Sequence, residues 1–573
     1  MKFRLVACLM LVAAQPAAAA DQNSADWRTG LDRLAAELKS VHPRPFAKVG
    51  ELTFQRELDS LKQRLPRLSE EQRVVEAMRL VASLGDGHTQ VEPTGAEWRS
   101  WYPVRIVDFG DGYFVTSAHR SVADLAGAEL LQIGGRPAAE AVEAARTLMG
   151  ADNAFDRKIR MFALHNSRLM RGLGFADPSG ALRIKARLRN GRVVDRMLIS
   201  APQTEQRFVS ADNLFEWNFQ AEVYGLGMGG DADWVAAFGP TPSSGFREPD
   251  PARPLFLAER SRYFRRSLPE SGAYYIQINQ VDDTSLIDFM KESMAEVDRL
   301  RPKHLIVDLR NNFGGDASRA REIVHQFIQR EAKTWGELYV LTSGKTFSAA
   351  INLLDELADN VEMTLIGEPP GAAFNAYGDP VVRLIPDAGL RLEVSSVIHQ
   401  LSDSNDHRAF VPVDVPAPMP FSDYVRGKDP AVDPILAGEE MRSIPQIIRT
   451  EGGAAARIAF RDRERRFAGL PWWQPPTELE LRRACDYLVG AKRLDQALEA
   501  CKLTSEIHPY VWNSWYNLGA TQRAAGLMSE RLSSYSCVLA LEPNNWNGPA
   551  LRRAIAAATE PVPLPPGCPV RRR

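Results

Sequence analysis

Between residues 258 and 440, short apolar runs of strand type alternate with amphipathic runs of helical period. Tyr274–Ile278, His304–Leu309, Leu338–Leu341 and Met363–Ile366 read as strands. Leu286–Leu300 and Ala317–Arg330 read as helices. Alternation of this kind predicts an α/β core, because each apolar helix face needs a sheet to cover it. A chain of 573 residues is too long for one core, so about three or four domains are expected.

Within that core, Leu338–Leu341 runs through Thr342-Ser343-Gly344-Lys345-Thr346-Phe347 into Ser348-Ala349-Ala350 and an amphipathic helical run from Ile351 to Leu357. Ser348 thus sits at a strand-to-helix turn. A helix start offers unpaired N–H groups and partial positive charge, which favour a developing anion. The same position suits a plain N-cap serine. Two further segments bear on the choice. Asp308-Leu309-Arg310-Asn311-Asn312-Phe313-Gly314-Gly315-Asp316 ends a buried strand in adjacent glycines, and the N–H of Gly314 or Gly315, with that of Ala349, could hold an oxyanion. Gly85-Asp86-Gly87-His88-Thr89 is a turn that presents a histidine, the usual base for a serine nucleophile. Lys345 is a local alternative base.

The chain opens with Lys2 and Arg4, an apolar Leu5–Ala14 stretch and Ala18-Ala19-Ala20 before Asp21, which reads as a signal peptide over 1–20. The expected product is exported and periplasmic, with no membrane span. Residues 21–98 read as an N-terminal helical subdomain. Residues 99–204 read as a small strand-rich peptide-binding module with a helical insertion. Residues 205–257 read as a loop, a lid or a linker. The core closes at 445, and 446–476 reads as a linker. In 477–573, Leu481, Ala484, Leu488, Ala497 and Pro509 lie 34 residues before Trp515, Leu518, Gln522, Arg531 and Pro543, the tetratricopeptide period. Such a tail is a candidate surface for a protein partner.

Four cysteines, Cys485, Cys501, Cys537 and Cys568, remain beyond the signal segment. Position counting puts Cys485 and Cys501 opposite each other on paired helices, so a Cys485–Cys501 disulfide is expected, with Cys537–Cys568 as the second. The alternative is four buried free thiols. A net charge of −2, with no basic tract beyond Arg571-Arg572-Arg573, argues against a nucleic-acid binder. No metal-ligand spacing and no nucleotide loop appear, so neither metal nor cofactor is expected.

Taken in order, His42-Pro43, Leu84-Gly85-Asp86-Gly87-His88-Thr89, Asp308–Gly315, Thr346-Phe347-Ser348-Ala349-Ala350, Ile366-Gly367-Glu368 and Lys428-Asp429-Pro430 resemble the tail-specific, or C-terminal processing, peptidase superfamily. That superfamily also holds the tricorn core protease and the retinoid-binding protein of the eye. The resemblance covers roughly residues 27–440. It implies a crotonase-like ββα core, a PDZ-like module before it, and a serine peptidase acting on peptides or unfolded protein segments, with Ser348 as nucleophile. The Ser–Lys branch carries its lysine in a loop that here reads Gly367-Glu368-Pro369-Pro370-Gly371-Ala372-Ala373-Phe374-Asn375, without a lysine. The tricorn branch uses a histidine, which His88 matches by position, and a late acid, for which Asp406 is the candidate and Asp403 and Asp86 are alternatives. A non-catalytic binding protein or an envelope scaffold on the same fold is the competing expectation.

Overall fold

The computed structural model describes residues 14–202, 234–237, 239–240, 255, 262–281, 284–330 and 334–569. Three helices open it: α1 (Ala14–Val41), α2 (Glu51–Arg64) and α3 (Glu70–Ala82). Leu31, Leu34 and Leu38 of α1 meet Phe54, Leu58 and Leu61 of α2 and Val74, Val75 and Met78 of α3 in one buried cluster, as their helical spacing requires. Ser69 starts α3 with a reciprocal capping box to Gln72. A turn at Gly85, φ 69°, then releases the chain into β1 (Gln90–Pro93).

A second sheet follows: β2 (Val104–Asp108), β3 (Tyr113–His119), β4 (Glu129–Ile133), β5 (Leu182–Arg187) and β6 (Val193–Leu198). Helices α4 (Ala138–Arg146) and α5 (Ala154–Ile159) lie between β4 and β5. Most of 205–257, the expected lid or linker, lies outside the described residues; the strand Trp234–Ala236 within it adds to β3.

The core sheet runs β7 (Tyr263–Leu268), β8 (Ala273–Ile278), β9 (His304–Asp308), β10 (Glu337–Thr342), β11 (Thr364–Gly367) and, beyond the hairpin described next, β14 (Val415–Pro416). Only the β7–β8 pair is antiparallel. The intervening helices are α6 (Thr284–Leu300), α7 (Ala320–Ile328) and α8 (Ala349–Asn360). Alternate residues of β8 go to opposite faces: Tyr274 and Ile276 pack under the helices, Tyr275 against Ile306, Leu341 and Val432. The hairpin of β12 (Asn375–Ile385) and β13 (Leu390–Gln400) leaves this sheet and pairs antiparallel with β1, from Gln90↔Glu393 to Pro93↔Leu390. That pairing carries the His88 turn towards the core.

The expectation of a linker over 446–476 is corrected. Two helices, α9 (Ile444–Glu451) and α10 (Gly453–Phe467), occupy much of it. Ile447, Ile448, Ala456 and Phe460 are buried in one cluster with Leu481, Ala484 and Leu488 of the tail. The Gly452-Gly453 pair is a tight joint: a Cβ on Gly453 would lie 2.0 Å from Ala500 N. The tail itself comprises α11 (Glu478–Gly490), α12 (Leu494–Ile507), α13 (Trp512–Ala524), α14 (Met528–Leu541) and α15 (Gly548–Ala556). Helices α11 and α13 start 34 residues apart, as do α12 and α14. Both expected cysteine pairs are formed, Cys485–Cys501 with Cα atoms 5.8 Å apart and Cys537–Cys568 with 5.9 Å. Among the described residues no helix is long and apolar enough to cross a membrane.

Candidate active site

Strand β10 and helix α8 meet at Ser348, whose backbone takes φ 52° and ψ −128°. Few residues other than glycine adopt such angles. The loop before it enforces them. Ser343 Oγ donates to Arg310 O (2.6 Å), Thr346 Oγ1 to Leu309 O (2.8 Å) and Phe347 N to Asn312 O (3.0 Å). Arg310 in turn is locked in a buried ion network with Asp308 and Asp429. Ser348 caps α8 by position, but its hydroxyl makes no capping hydrogen bond. The plain N-cap alternative therefore leaves its strained backbone unexplained.

The glycine loop lies directly against this turn. A Cβ on Gly314 would sit 2.6 Å from Ser348 Cβ and 2.9 Å from Ala349 N. Gly314 and Gly315 take φ 113° and 136°. The Gly314 N–H is already spent: Asn312 Oδ1 accepts it at 2.9 Å, while Asn312 Nδ2 donates to Ile278 O at 3.0 Å. The N–H groups of Gly315 and Ala349 have no acceptor among the described residues. Of the two glycine donors left open by the sequence, the one with a free N–H is Gly315.

His88 stacks on Phe347, ring centroids 4.4 Å apart. Both ring nitrogens are buried and without a partner among the described residues. Burial pushes the imidazole down to about 4, against the pull of Asp86 and with help from the Arg160 charge. Asp86 is buried beneath it. It accepts from His88 N (3.0 Å), His42 Nε2 (3.1 Å), Ser395 Oγ (2.6 Å) and the Thr89 hydroxyl. His42 Nδ1 accepts from Arg44 N, which fixes Nε2 as the protonated nitrogen. Burial alone would raise the Asp86 carboxyl, but the His42 hydrogen bond, the His88 charge and the two hydroxyls hold it well below the usual range.

Two further carboxylates stand behind this turn. Asp152 accepts from Gly87 N at 2.8 Å and is pushed up to about 8 by burial and by the charges of Asp86 and Asp156. Asp156 pairs with Arg160 at 2.5 Å, and that guanidinium lies 5.3 Å from the Phe347 ring centre. Gly87 leaves room for this junction, since a Cβ there would meet Asp156, Phe347 and Arg160 at 2.8 to 2.9 Å.

Asp406 is not brought to His88. Its carboxylate is forked by Arg408 (2.9 and 2.6 Å) and accepts from Ser402 Oγ (2.7 Å). The Arg408 bonds hold it well below the usual carboxylate range, against its partial burial. The Asp406-His407-Arg408 spacing makes this local fork. Asp403 is likewise turned to its own loop, where Oδ1 accepts from Asn405 N. Asp86, the remaining alternative, lies beside His88 but bonds its backbone N–H and not its ring. Lys345 does not line the pocket that holds Ser348.

That pocket, of about 90 Å³, is walled by Ser348, His88, Gly315 and Ala349 and, from the β12–β13 hairpin, by Tyr377 and His399. Neither of the last two is signalled by local sequence. Tyr377 packs on His42, ring centroids 4.6 Å apart.

No protein-family model matches the chain, and no curated protein matches it. Solved structures do. A crystal structure of a CPAF variant is similar with a TM-score of 0.50 at 14% identity, over 75% of this chain and 99% of that one. Mature CPAF complexed with lactacystin gives 0.47 at 13%, over 71% and 96%. The photosystem II D1 C-terminal processing protease gives 0.28 at 14%, over 71% and 98%. The likeness to the CPAF variant shows a shared fold over most of both chains.

Proposed function

We propose that this chain is a serine peptidase that cleaves peptides or unfolded protein segments through an acyl-enzyme. The observation that carries the reading is Ser348: a strained serine at a strand-to-helix turn, its hydroxyl unspent and beside two N–H groups without an acceptor among the described residues. The peptidase character of the neighbouring fold supports it. His88, neutral at pH 7 because its pKa lies near 4, takes the Ser348 proton as Oγ bonds to the substrate carbonyl carbon. The Gly315 and Ala349 N–H groups receive the oxyanion. Each such donor is worth roughly 3–4 kcal/mol in the transition state. Asp86 is the acid of the site; its bond to the His88 backbone N–H holds the turn, and its negative charge stabilises the imidazolium. The C–N bond then breaks, the amine leaves with a proton taken from the site, and water hydrolyses the acyl–Ser348 ester.

Residues 99–204 fit a PDZ-like module, 258–445 a crotonase-like core, and 477–573 tetratricopeptide repeats with a groove for a protein partner. The two cysteine pairs favour an exported protein, consistent with a signal peptide and a periplasmic location.

The test is labelling of the purified protein with a fluorophosphonate, beside Ser348→Ala and His88→Ala. Labelling of the parent alone supports an activated serine with His88 as its base. A folded parent that stays unlabelled refutes the reading and favours a non-catalytic binding protein.

A further inference from the structure

The pocket holds a second histidine with its own acid. His399, near the end of β13, places Nε2 3.2 Å from Asp379 Oδ1, across the hairpin on β12. The pair is built into the backbone. Asp379 takes φ 51°, a region few side-chain-bearing residues enter. Ser396 Oγ holds it there by donating to Asp379 O at 2.6 Å. The preceding residue is Gly378, and a Cβ there would lie 2.8 Å from His399 Cδ2 and 2.9 Å from Nε2. The imidazole thus lies on bare backbone, and any other residue at 378 would displace it. With Nε2–H directed at Asp379, Nδ1 is the nitrogen left for other chemistry. The His399 side chain is 29% exposed, whereas both nitrogens of His88 are sealed.

We propose that His399, positioned by Asp379, is a second acid–base residue of the pocket and serves the leaving group. This rests on the serine peptidase reading above. In acylation, the Ser348 Oγ–carbonyl bond forms and its proton goes to His88. The C–N bond then breaks, and the departing nitrogen takes the Nδ1 proton of the His399 imidazolium. In deacylation, water attacks the acyl carbon and gives its proton to His399, while His88 returns its proton to Ser348 Oγ. Both histidines end as they began. The division of labour matters only where the leaving group needs a proton, as an amine does and fluoride or p-nitrophenolate does not.

The test uses the full chain with His399→Gln and Asp379→Asn. Three rates are measured: Ser348 labelling by a fluorophosphonate, the burst of p-nitrophenol from p-nitrophenyl acetate, and cleavage of dye-labelled casein. For His399→Gln, labelling and burst stay within about threefold of the parent while casein cleavage falls about a hundredfold or more, the span of a lost general acid. Asp379→Asn lowers the casein kcat with labelling unchanged. Intact labelling with casein cleavage within about threefold of the parent reduces the pair to a surface contact and overturns the inference. Equal loss of labelling and cleavage overturns the division of labour, because His399 would then activate the serine. A parent that is not labelled at all refutes the peptidase reading itself, and this inference with it.

Discussion

Replacing Ser348 by glycine should stabilise the protein relative to replacing it by alanine, the reverse of the ordinary order. At φ 52°, ψ −128°, a residue with a Cβ stores roughly 1–3 kcal/mol of backbone strain. Glycine adopts these angles freely but loses about 0.5–1 kcal/mol to its greater freedom when unfolded. The Ser348 hydroxyl has no hydrogen bond among the described residues, so neither substitution breaks one. Alanine keeps the strain and glycine releases it, which leaves Ser348→Gly ahead of Ser348→Ala by up to about 2 kcal/mol. Equilibrium denaturation of parent and both variants, followed by tryptophan fluorescence, measures the difference. If Ser348→Gly instead falls below Ser348→Ala by the usual glycine penalty, the turn is not strained, and the claim that the fold spends stability to present this serine fails.

Other outcomes follow from the same geometry. Asn312→Ala orphans the buried Gly314 N–H and Ile278 O, at about 1–3 kcal/mol each, and should slow fluorophosphonate labelling as the glycine loop loosens; unchanged denaturation would refute the role given to Asn312. With His88 held near 4, the labelling rate should keep its plateau well below pH 6.5 and fall only as pH passes about 4, so an acid limb at 6.5 would contradict the burial of the ring. The stability that neutral His88 contributes is correspondingly complete above pH 6.5 and lost as pH falls towards 4, because only the unfolded ring binds a proton in between. Replacing Cys485 and Cys501, which close a loop of separation 16, should cost the helical tail about 3 kcal/mol; calorimetry that finds its transition unmoved would count against the bond.

The parts of the site that could be read from the sequence are those whose residues are contiguous. Leu338 to Ala350 contains a strand, a turn and a helix in one run, so Ser348 is legible without tertiary information. Gly85–His88 and Asp308–Gly315 are legible for the same reason. What could not be read depends on side chains that meet across the fold. Gly314 and Gly315 are equivalent in sequence, and only the capture of one N–H by Asn312 Oδ1, which is itself anchored on Ile278, separates them. Asp406 has the right order along the chain for a late acid, yet Arg408 two residues on claims it. Asp86 sits two residues from His88 and gains its standing from His42 and Ser395, which arrive from α1's end and from β13. The Asp379–His399 pair requires the register of the β12–β13 hairpin, a segment whose alternation says strand but not which residues face each other. Local sequence thus fixes where Ser348 can stand. The places of His88, Asp86 and His399 are set by the β1–β13–β12 sheet, which is the element that carries residues from before residue 100 and after residue 370 into one pocket.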